Sequence, residues 1–276
     1  MIALGLALAG LSTVAINGGY ALQHAASSGL PRLSLSEPRR SLRSLAGSGR
    51  WTAGFLLGIG GWVVYVAALR VAPLSLVQAA SAGGIAVLAL DVGRLRAHER
   101  IGVGAAIAGL LMLGLSLPRH PATGHASTLA LVAWLVASAV AAGFAAVAVG
   151  GGAGLGTAAG VLYAAGDVAT KAAVAGGTGF AYVPALLAAH ALAFVCVQLA
   201  FQRGSRLATA GLAVVWTNAL PIVAGTLLFA ESLPGGWRGL ARLAAFVLVL
   251  VGATALALRS TAAVDAGPGT ATLSID

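Results

Sequence analysis

The sequence predicts an all-α polytopic membrane protein with nine transmembrane helices, arranged as two inverted four-helix repeats joined by a linker helix. The first observation behind this prediction is composition. Hydrophobic residues make up 59% of the 276 positions and charged residues only 8%, and the mean hydropathy is +0.96. Soluble domains carry about 25% charged residues, so the surplus apolar side chains are expected to face lipid. The spacing of the apolar runs and a similarity between the two halves of the chain are the other two observations.

Nine apolar runs are each close to the length of about 20 residues that a helix needs to cross the hydrocarbon core of a bilayer. Runs such as Ile101 to Leu117 lack the alternation of apolar and polar residues that is typical of transmembrane β-strands. The first run has no basic leading segment and is too long for a signal-peptide core, so it is predicted to be a retained span. The predicted spans are residues 2–25, 51–70, 73–91, 101–117, 128–148, 156–175, 180–201, 207–230 and 238–258.

An internal duplication is indicated by a shift of 132 residues, which places Glu99 on Glu231, each just before the last span of its half. The second copy starts after five crossings and therefore enters the membrane from the opposite face. Inverted repeats of this kind are typical of secondary transporters, whose substrate lies near the midplane. Chance similarity between two hydrophobic stretches is the alternative. The predicted regions are a first repeat in residues 1–117, a linker helix and turns in 118–155, a second repeat in 156–258 and a disordered cytoplasmic tail in 259–276.

The positive charge follows membrane topology. The 15 Arg and single Lys, which underlie a net charge of +9, lie mostly between apolar runs and do not form the clustered basic face of a DNA-binding domain. No nucleic-acid partner is therefore expected. With the N-terminus outside and the C-terminus in the cytoplasm, 11 Arg fall inside and 4 outside, which agrees with the positive-inside rule. The excess of Arg over Lys and the abundance of Ala and Gly indicate a GC-rich bacterial genome, and hence a plasma membrane.

Several short segments in both halves of the chain have a familiar pattern: residues 51–61, 65–78 and 98–101 in the first half, and residues 160–171, Pro221 and Glu231 in the second. These segments resemble the drug/metabolite transporter superfamily, an EamA-like group, and within it the NIPA-like magnesium transporter branch. The resemblance covers most of residues 1–258. It implies an all-α carrier of nine or ten helices built from two inverted repeats, and its NIPA-like branch implies Mg²⁺ as a substrate.

Asp167 and Lys171 are the two charged residues that lie well inside a predicted span. A buried charge in a membrane costs several kcal/mol and by default marks a functional site. Their spacing of four residues puts both on one face of a helix, within reach of an ion pair. Two interpretations stay open: a structural pair in which Lys171 extends toward the outer surface, or a carboxylate that binds substrate or titrates when the site opens to water.

Neutral polar residues complete a predicted midplane site. The candidates are Asn17, Gln78, Thr217 and Asn218, with Gln198 and His190 as further polar residues of the seventh span. Pro221 removes a backbone donor and frees a carbonyl near Thr217, which is tolerated at membrane depth where it lines a cavity. The alternative for each residue is a hydrogen bond between helices. His190 has no second His or carboxylate at ligand spacing, so a transition-metal site is not predicted.

Glycines have structural roles in this prediction. The spacing of four between Gly152, Gly156 and Gly160 predicts close helix packing. The run from Gly150 to Gly154 follows no strand and precedes no Lys-Ser/Thr, so it predicts a turn between spans and not a phosphate loop.

The function predicted from these observations is secondary transport by alternating access, without enzymatic activity or a cofactor. Mg²⁺ or another cation is one expected substrate, and small organic metabolites or drugs are the alternative. Mg²⁺ prefers several oxygen ligands, usually with carboxylates, and Asp167 alone with Lys171 beside it fits that preference poorly. A non-transporting membrane scaffold or an intramembrane enzyme is a third possibility, although no catalytic pair is found in the sequence. The expected partners are the substrate, the lipid bilayer and a second copy of the chain in a homodimer.

Overall fold

The computed structural model describes residues 2–27, 29–31, 33, 36–72, 74–81, 97–116, 126–175, 177–230 and 235–265. Every regular element within these residues is a helix, which confirms the all-α prediction for the part of the chain described. The α-helices are α1 (Ile2–Ser27), α2 (Pro38–Ala46), α3 (Gly49–Val71), α4 (Leu74–Ser81), α5 (Ala97–Leu115), α6 (Thr128–Phe144), α7 (Gly151–Val174), α8 (Val183–Phe201), α9 (Arg206–Leu228) and α10 (Trp237–Asp265).

Within the described residues, five helical segments are long and apolar enough to cross a membrane. They are Leu4–Ser27, Gly49–Val71, Thr128–Val149, Gly179–Phe201 and Thr209–Leu228. Each of the other four predicted spans also contains a helix, α4, α5, α7 or α10, although α4 is described over only 8 residues.

The outward faces of these helices carry large apolar side chains. Leu129 and Val147 in the segment that begins with α6 are 80% and 86% exposed, and Leu56 and Val63 on α3 are also exposed. Soluble monomers rarely present extended apolar surfaces of this kind, whereas lipid tails solvate them without cost. The exposed apolar faces and the five long helices are consistent with a multi-pass membrane protein.

Small residues set the closest helix contacts, as the spacing of four predicts. Helix α7 packs against both α8 and α9. A Cβ added at Gly156 would lie 2.5 Å from the carbonyl oxygen of Thr209, and one added at Gly160 would lie 2.7 Å from that of Ala213. A side chain at either position would therefore force α7 and α9 apart.

The predicted glycine turn joins α6 to α7. The end of α6 continues as a short π-helix over Ala145–Val149, and Gly150 then adopts φ 66° and ψ −174°. This backbone conformation is essentially restricted to glycine, so the chain reverses here and α7 begins at Gly151.

The predicted tail, residues 259–276, is helical over its first part, 259–265. Helix α10 continues to Asp265, because the residues after Leu258 include no helix breaker before Gly267 and Pro268. The remainder of the predicted tail lies outside the described residues.

A short helix, α2, lies in the basic segment between the first two predicted spans. Pro38 occupies its first turn, where a missing backbone donor costs nothing. Arg39, Arg40 and Arg43 are exposed, and Leu45 is buried. Sequence reasoning treated this segment only as a basic loop.

Candidate functional site

A cavity of about 450 Å³ lies between α1, α3, α4, α7, α8 and α9. This volume falls within the range of roughly 300–1,000 Å³ that is typical of small-molecule sites. Its wall includes Asn17 of α1, Ile59 of α3, His190 of α8 and Asn218 of α9, which lie near the middle of four of the long apolar helices. In helices that cross a bilayer, this height corresponds to the midplane.

Most of the residues predicted to form a site meet in this cavity. Asn17, Gln78, Asp167, Thr217 and Asn218 all line it. Thr217 donates its hydroxyl to the carbonyl oxygen of Gly160 at 3.3 Å, and Pro221 lies inside α9 one turn later, as predicted.

Lys171, the remaining predicted residue, lies one turn beyond Asp167 on α7. Its Nζ donates to the carbonyl oxygen of Leu69 on α3 at 3.3 Å. This contact ties the end of α7 to the end of α3, and Lys171 is half-buried there.

Asp167 is the centre of a polar network that joins three helices. Its side chain is buried, and its Oδ2 accepts a hydrogen bond from Gln78 Nε2 of α4 at 3.1 Å. The same Nε2 lies 2.6 Å from Tyr65 Oη of α3, and the Tyr65 hydroxyl also hydrogen-bonds Asp167. The carboxylate is thus held by neutral donors from the first half of the chain.

His190 of α8 lies between Asp167 and Trp62 of α3 and so adds α8 to this network. Its Nε2 lies 3.6 Å from Asp167 Oδ1 and accepts a hydrogen bond from Trp62 Nε1 at 3.2 Å, while its Nδ1 contacts the carbonyl oxygen of Leu186 at 2.8 Å. A neutral ring that accepts from Trp62 must carry its proton on Nδ1.

Gly166 fixes the position of the His190 ring. A Cβ added at Gly166 would collide with Nδ1 and Cε1 of His190. The absence of a side chain at this position therefore allows the imidazole to approach Asp167 from α8.

An aromatic cluster borders the other end of the cavity. The rings of Trp51 and Phe55 stack with centroids 5.3 Å apart, and Phe194 of α8 meets Phe55 edge-on at 5.4 Å. Trp51 Nε1 donates to Gln198 Oε1 at 2.8 Å, and Gln198 Nε2 donates to Gln23 Oε1 at 2.5 Å. These contacts join α1 and α3 to α8 entirely through side chains.

Sequence reasoning missed several residues of the wall. Tyr65 and Trp62 were not among the predicted site residues, whereas His190 was predicted as a further polar residue of the midplane site and does line the cavity. Tyr20 of α1 and Tyr163 of α7 also line the cavity, and their hydroxyls hydrogen-bond each other. Their polar atoms inside apolar spans were the available signal, but spacing along one helix does not reveal partners on another.

No protein-family model, curated protein or solved structure matches the chain. Its function is therefore argued from the cavity.

Proposed function

We propose that the chain is a secondary transporter that works by alternating access and carries a small solute through the central cavity. The observation that carries this proposal is the cavity itself, which lies halfway along the long apolar helices and contains the buried carboxylate of Asp167. Burying a carboxylate at membrane depth is costly and is characteristic of substrate and ion pathways. An ion gradient, the membrane potential or the substrate gradient supplies the driving force.

The order of helix contacts supports an arrangement of nine spans in two inverted repeats. Helix α1 packs on α3 in the first half, and α7 packs on α8 in the second. Across the halves, α4 contacts α9 and α5 contacts α10, as expected if a pseudo-two-fold axis relates α1, α3, α4 and α5 to α7, α8, α9 and α10. Glu99 is buried in the first turn of α5, and its proposed counterpart Glu231 lies outside the described residues.

The bias of arginines between the loops supports an N-terminus outside and a C-terminus in the cytoplasm of a plasma membrane. In this orientation, the aromatic cluster lies at the cytoplasmic end of the cavity. The contact between Lys171 and Leu69 lies at the outer end.

The chemistry of the cavity favours an organic solute over Mg²⁺. Among the described lining residues, Asp167 is the single carboxylate, and the aromatic side chains of Trp62, Tyr65, Phe55 and Phe194 surround much of the volume. Mg²⁺ keeps an octahedral shell of oxygens and waters, which these rings do not complete. Mg²⁺ is nevertheless included among the solutes to be tested, because the resemblance to the NIPA-like branch favours it.

The test is solute flux in proteoliposomes, with Mg²⁺, amino acids and organic amines screened separately against protein-free liposomes. A transporter is expected to give saturable flux of at least one of them. A scaffold would give none for any solute, and that result would refute the proposal.

Two glycines on α3 offer a matched pair for this experiment. Gly58 lines the cavity, and a Cβ added there would have Gln23 Nε2 as its nearest neighbour at 3.9 Å, whereas Gly60 is exposed and a Cβ there would meet nothing within 4 Å. We expect Gly58→Leu to fill part of the cavity and abolish saturable flux, and Gly60→Leu to preserve it. Equal flux through both variants would show that solute does not pass through this cavity.

A further inference from the structure

The cavity wall contains buried oxygen atoms that have no hydrogen-bond partner within the protein. Among the described residues, Asn17 Oδ1, Asn218 Oδ1 and Thr13 Oγ1 are buried and have no hydrogen-bond partner. All three residues line the cavity, and each is more than nine-tenths buried. Native proteins pair almost all buried polar atoms, so two unpaired amide oxygens beside one cavity point to a ligand that supplies donors, and the Thr13 hydroxyl can accept from such a ligand as well.

The orientation of both amides is fixed by their own helices. Asn17 Nδ2 donates to the carbonyl oxygen of Thr13 at 2.9 Å, and Asn218 Nδ2 donates to that of Val214 at 2.7 Å. A flipped amide would bring two oxygens together in each case, so the Oδ1 atoms are the ends left for a ligand. Each amide therefore presents an acceptor to its surroundings and not a donor.

Two donors of the wall are already used within the protein. Gln78 Nε2 contacts Tyr65 and Asp167, and the Ser12 hydroxyl donates to the carbonyl oxygen of Gly61 at 2.7 Å. The two amide oxygens can only accept, whereas the unpaired Thr13 hydroxyl can accept or donate.

The charged groups of the wall also favour a cationic ligand. No Lys or Arg is found among the described residues that line the cavity, whereas Asp167 brings a carboxylate. The rings of Trp62 and Tyr65 border the same volume and provide faces that attract a cation. An anionic ligand would meet no cationic side chain among these residues, and the carboxylate of Asp167 would repel it.

We propose that the cavity binds a compact organic cation whose charged nitrogen carries several N–H donors, as in a primary ammonium group attached to an apolar body. Asp167 provides the counter-charge, Asn17 and Asn218 accept N–H hydrogen bonds, and the aromatic residues surround the apolar body. This assignment names the substrate class of the proposed transporter and rests on that proposal. It distinguishes the site from one for quaternary ammonium ions, which carry the same charge without any N–H donor.

The test measures binding of benzylammonium, benzyldimethylammonium and benzyltrimethylammonium to the full chain in lipid nanodiscs by isothermal titration calorimetry. The probes share one ring and one charge, and they carry three, one and no N–H donors. We expect the dissociation constant to rise along the series, by at least about tenfold from first to last, the change that one charge-assisted hydrogen bond produces. Equal or tighter binding of benzyltrimethylammonium would overturn the proposal, as would failure of benzylammonium to bind.

Variants separate donor recognition from the larger size of the methylated probes. Asn17→Leu and Asn218→Leu each remove an acceptor, so we expect both to weaken benzylammonium binding and to leave benzyltrimethylammonium binding unchanged. Ser138→Ala is the control, because Ser138 is a buried polar residue of α6 away from the cavity lining. A preference that persists undiminished in both Asn variants would refute the assignment of these acceptors.

Failure of this substrate assignment can be distinguished from failure of the proposed transport function. Saturable flux of another solute without binding of benzylammonium would overturn the substrate class while supporting transport. Selective binding of benzylammonium without flux of any solute would support the binding site and count against transport.

Discussion

Asp167 and Arg242 are both charged and buried, yet their surroundings differ. Arg242 of α10 is 5% exposed, and its guanidinium donates to Ser116 Oγ at 3.1 Å and to the Ser116 carbonyl oxygen at 3.2 Å, with Thr226 Oγ1 at 3.3 Å. Ser116 directly follows the end of α5, where carbonyl oxygens lack helical partners and the helix dipole is negative. Asp167 instead borders a cavity and meets only side chains among the partners described above.

The difference shows that burial of a charge does not by itself identify a binding site. Arg242 satisfies a helix end and ties α10 to α5, so its charge is used by the fold. Asp167 lies beside empty volume, with unpaired acceptors in the same wall, so its charge remains available to a ligand. The two residues therefore predict opposite outcomes when each is neutralised.

The largest expected effect is on ligand binding by Asp167→Asn. Asparagine keeps the shape of the side chain and an oxygen that accepts from Gln78, but it carries no negative charge. We expect the dissociation constant of benzylammonium to rise by at least about tenfold, with little change in thermal stability measured by circular dichroism. If a fully folded Asp167→Asn protein bound benzylammonium as tightly as the native chain, the charge of Asp167 would serve the fold, like that of Arg242, and would not bind the ligand.

The second effect is on stability and is expected for Arg242→Gln. Shortening this side chain leaves the acceptors of Ser116 and Thr226 without their donor, at a cost of about 1–3 kcal/mol in the free energy of unfolding. Benzylammonium binding by the folded fraction should not change. Arg238→Gln is the matched control, since Arg238 lies one turn earlier on α10 and contacts the exposed ring of Trp237. If Arg242→Gln weakened binding without lowering stability, the comparison would fail.

The sequence was sufficient to predict an all-α chain with long apolar helices, because long apolar runs bounded by charges and prolines depend on local composition alone. It did not predict the short basic helix α2 or the extension of α10 to Asp265. It also identified five residues of the cavity wall, since a polar side chain within an apolar span is visible without a structure. Arg242 could not be recognised in this way. It lies just after the start of a predicted span, where an arginine is equally typical of an exposed interface, and only the packing of α10 on α5 buries it.

Partners between helices were beyond sequence reasoning for a physical reason. Residues four apart on one helix can meet, and this rule suggested a pair between Asp167 and Lys171. Contacts between helices depend on how each helix is rotated, which is set by close approaches such as that of Gly166 to His190. The contact of Trp62 with His190 spans 128 residues of sequence and had no local signature.

The smallest expected effect is that of Lys171→Gln, which tests whether Lys171 belongs with Asp167 or with the end of α3. If the contact with the Leu69 carbonyl is its main role, glutamine still offers an N–H donor on a shorter chain. The loss of stability should then be about 0.6 kcal/mol or less, the average for side-chain hydrogen bonds in membrane proteins, and benzylammonium binding should be retained.

If Lys171 instead neutralises Asp167 as a structural pair, Lys171→Gln alone leaves a buried carboxylate unpaired and should destabilise the protein as strongly as Arg242→Gln. In that case the double variant Asp167→Asn with Lys171→Gln should recover stability. That result would show that the charge of Asp167 has a structural role and does not bind a ligand. Unfolding measurements on the two single variants and the double variant decide between these roles, because only a structural pair gives a double variant more stable than Lys171→Gln alone.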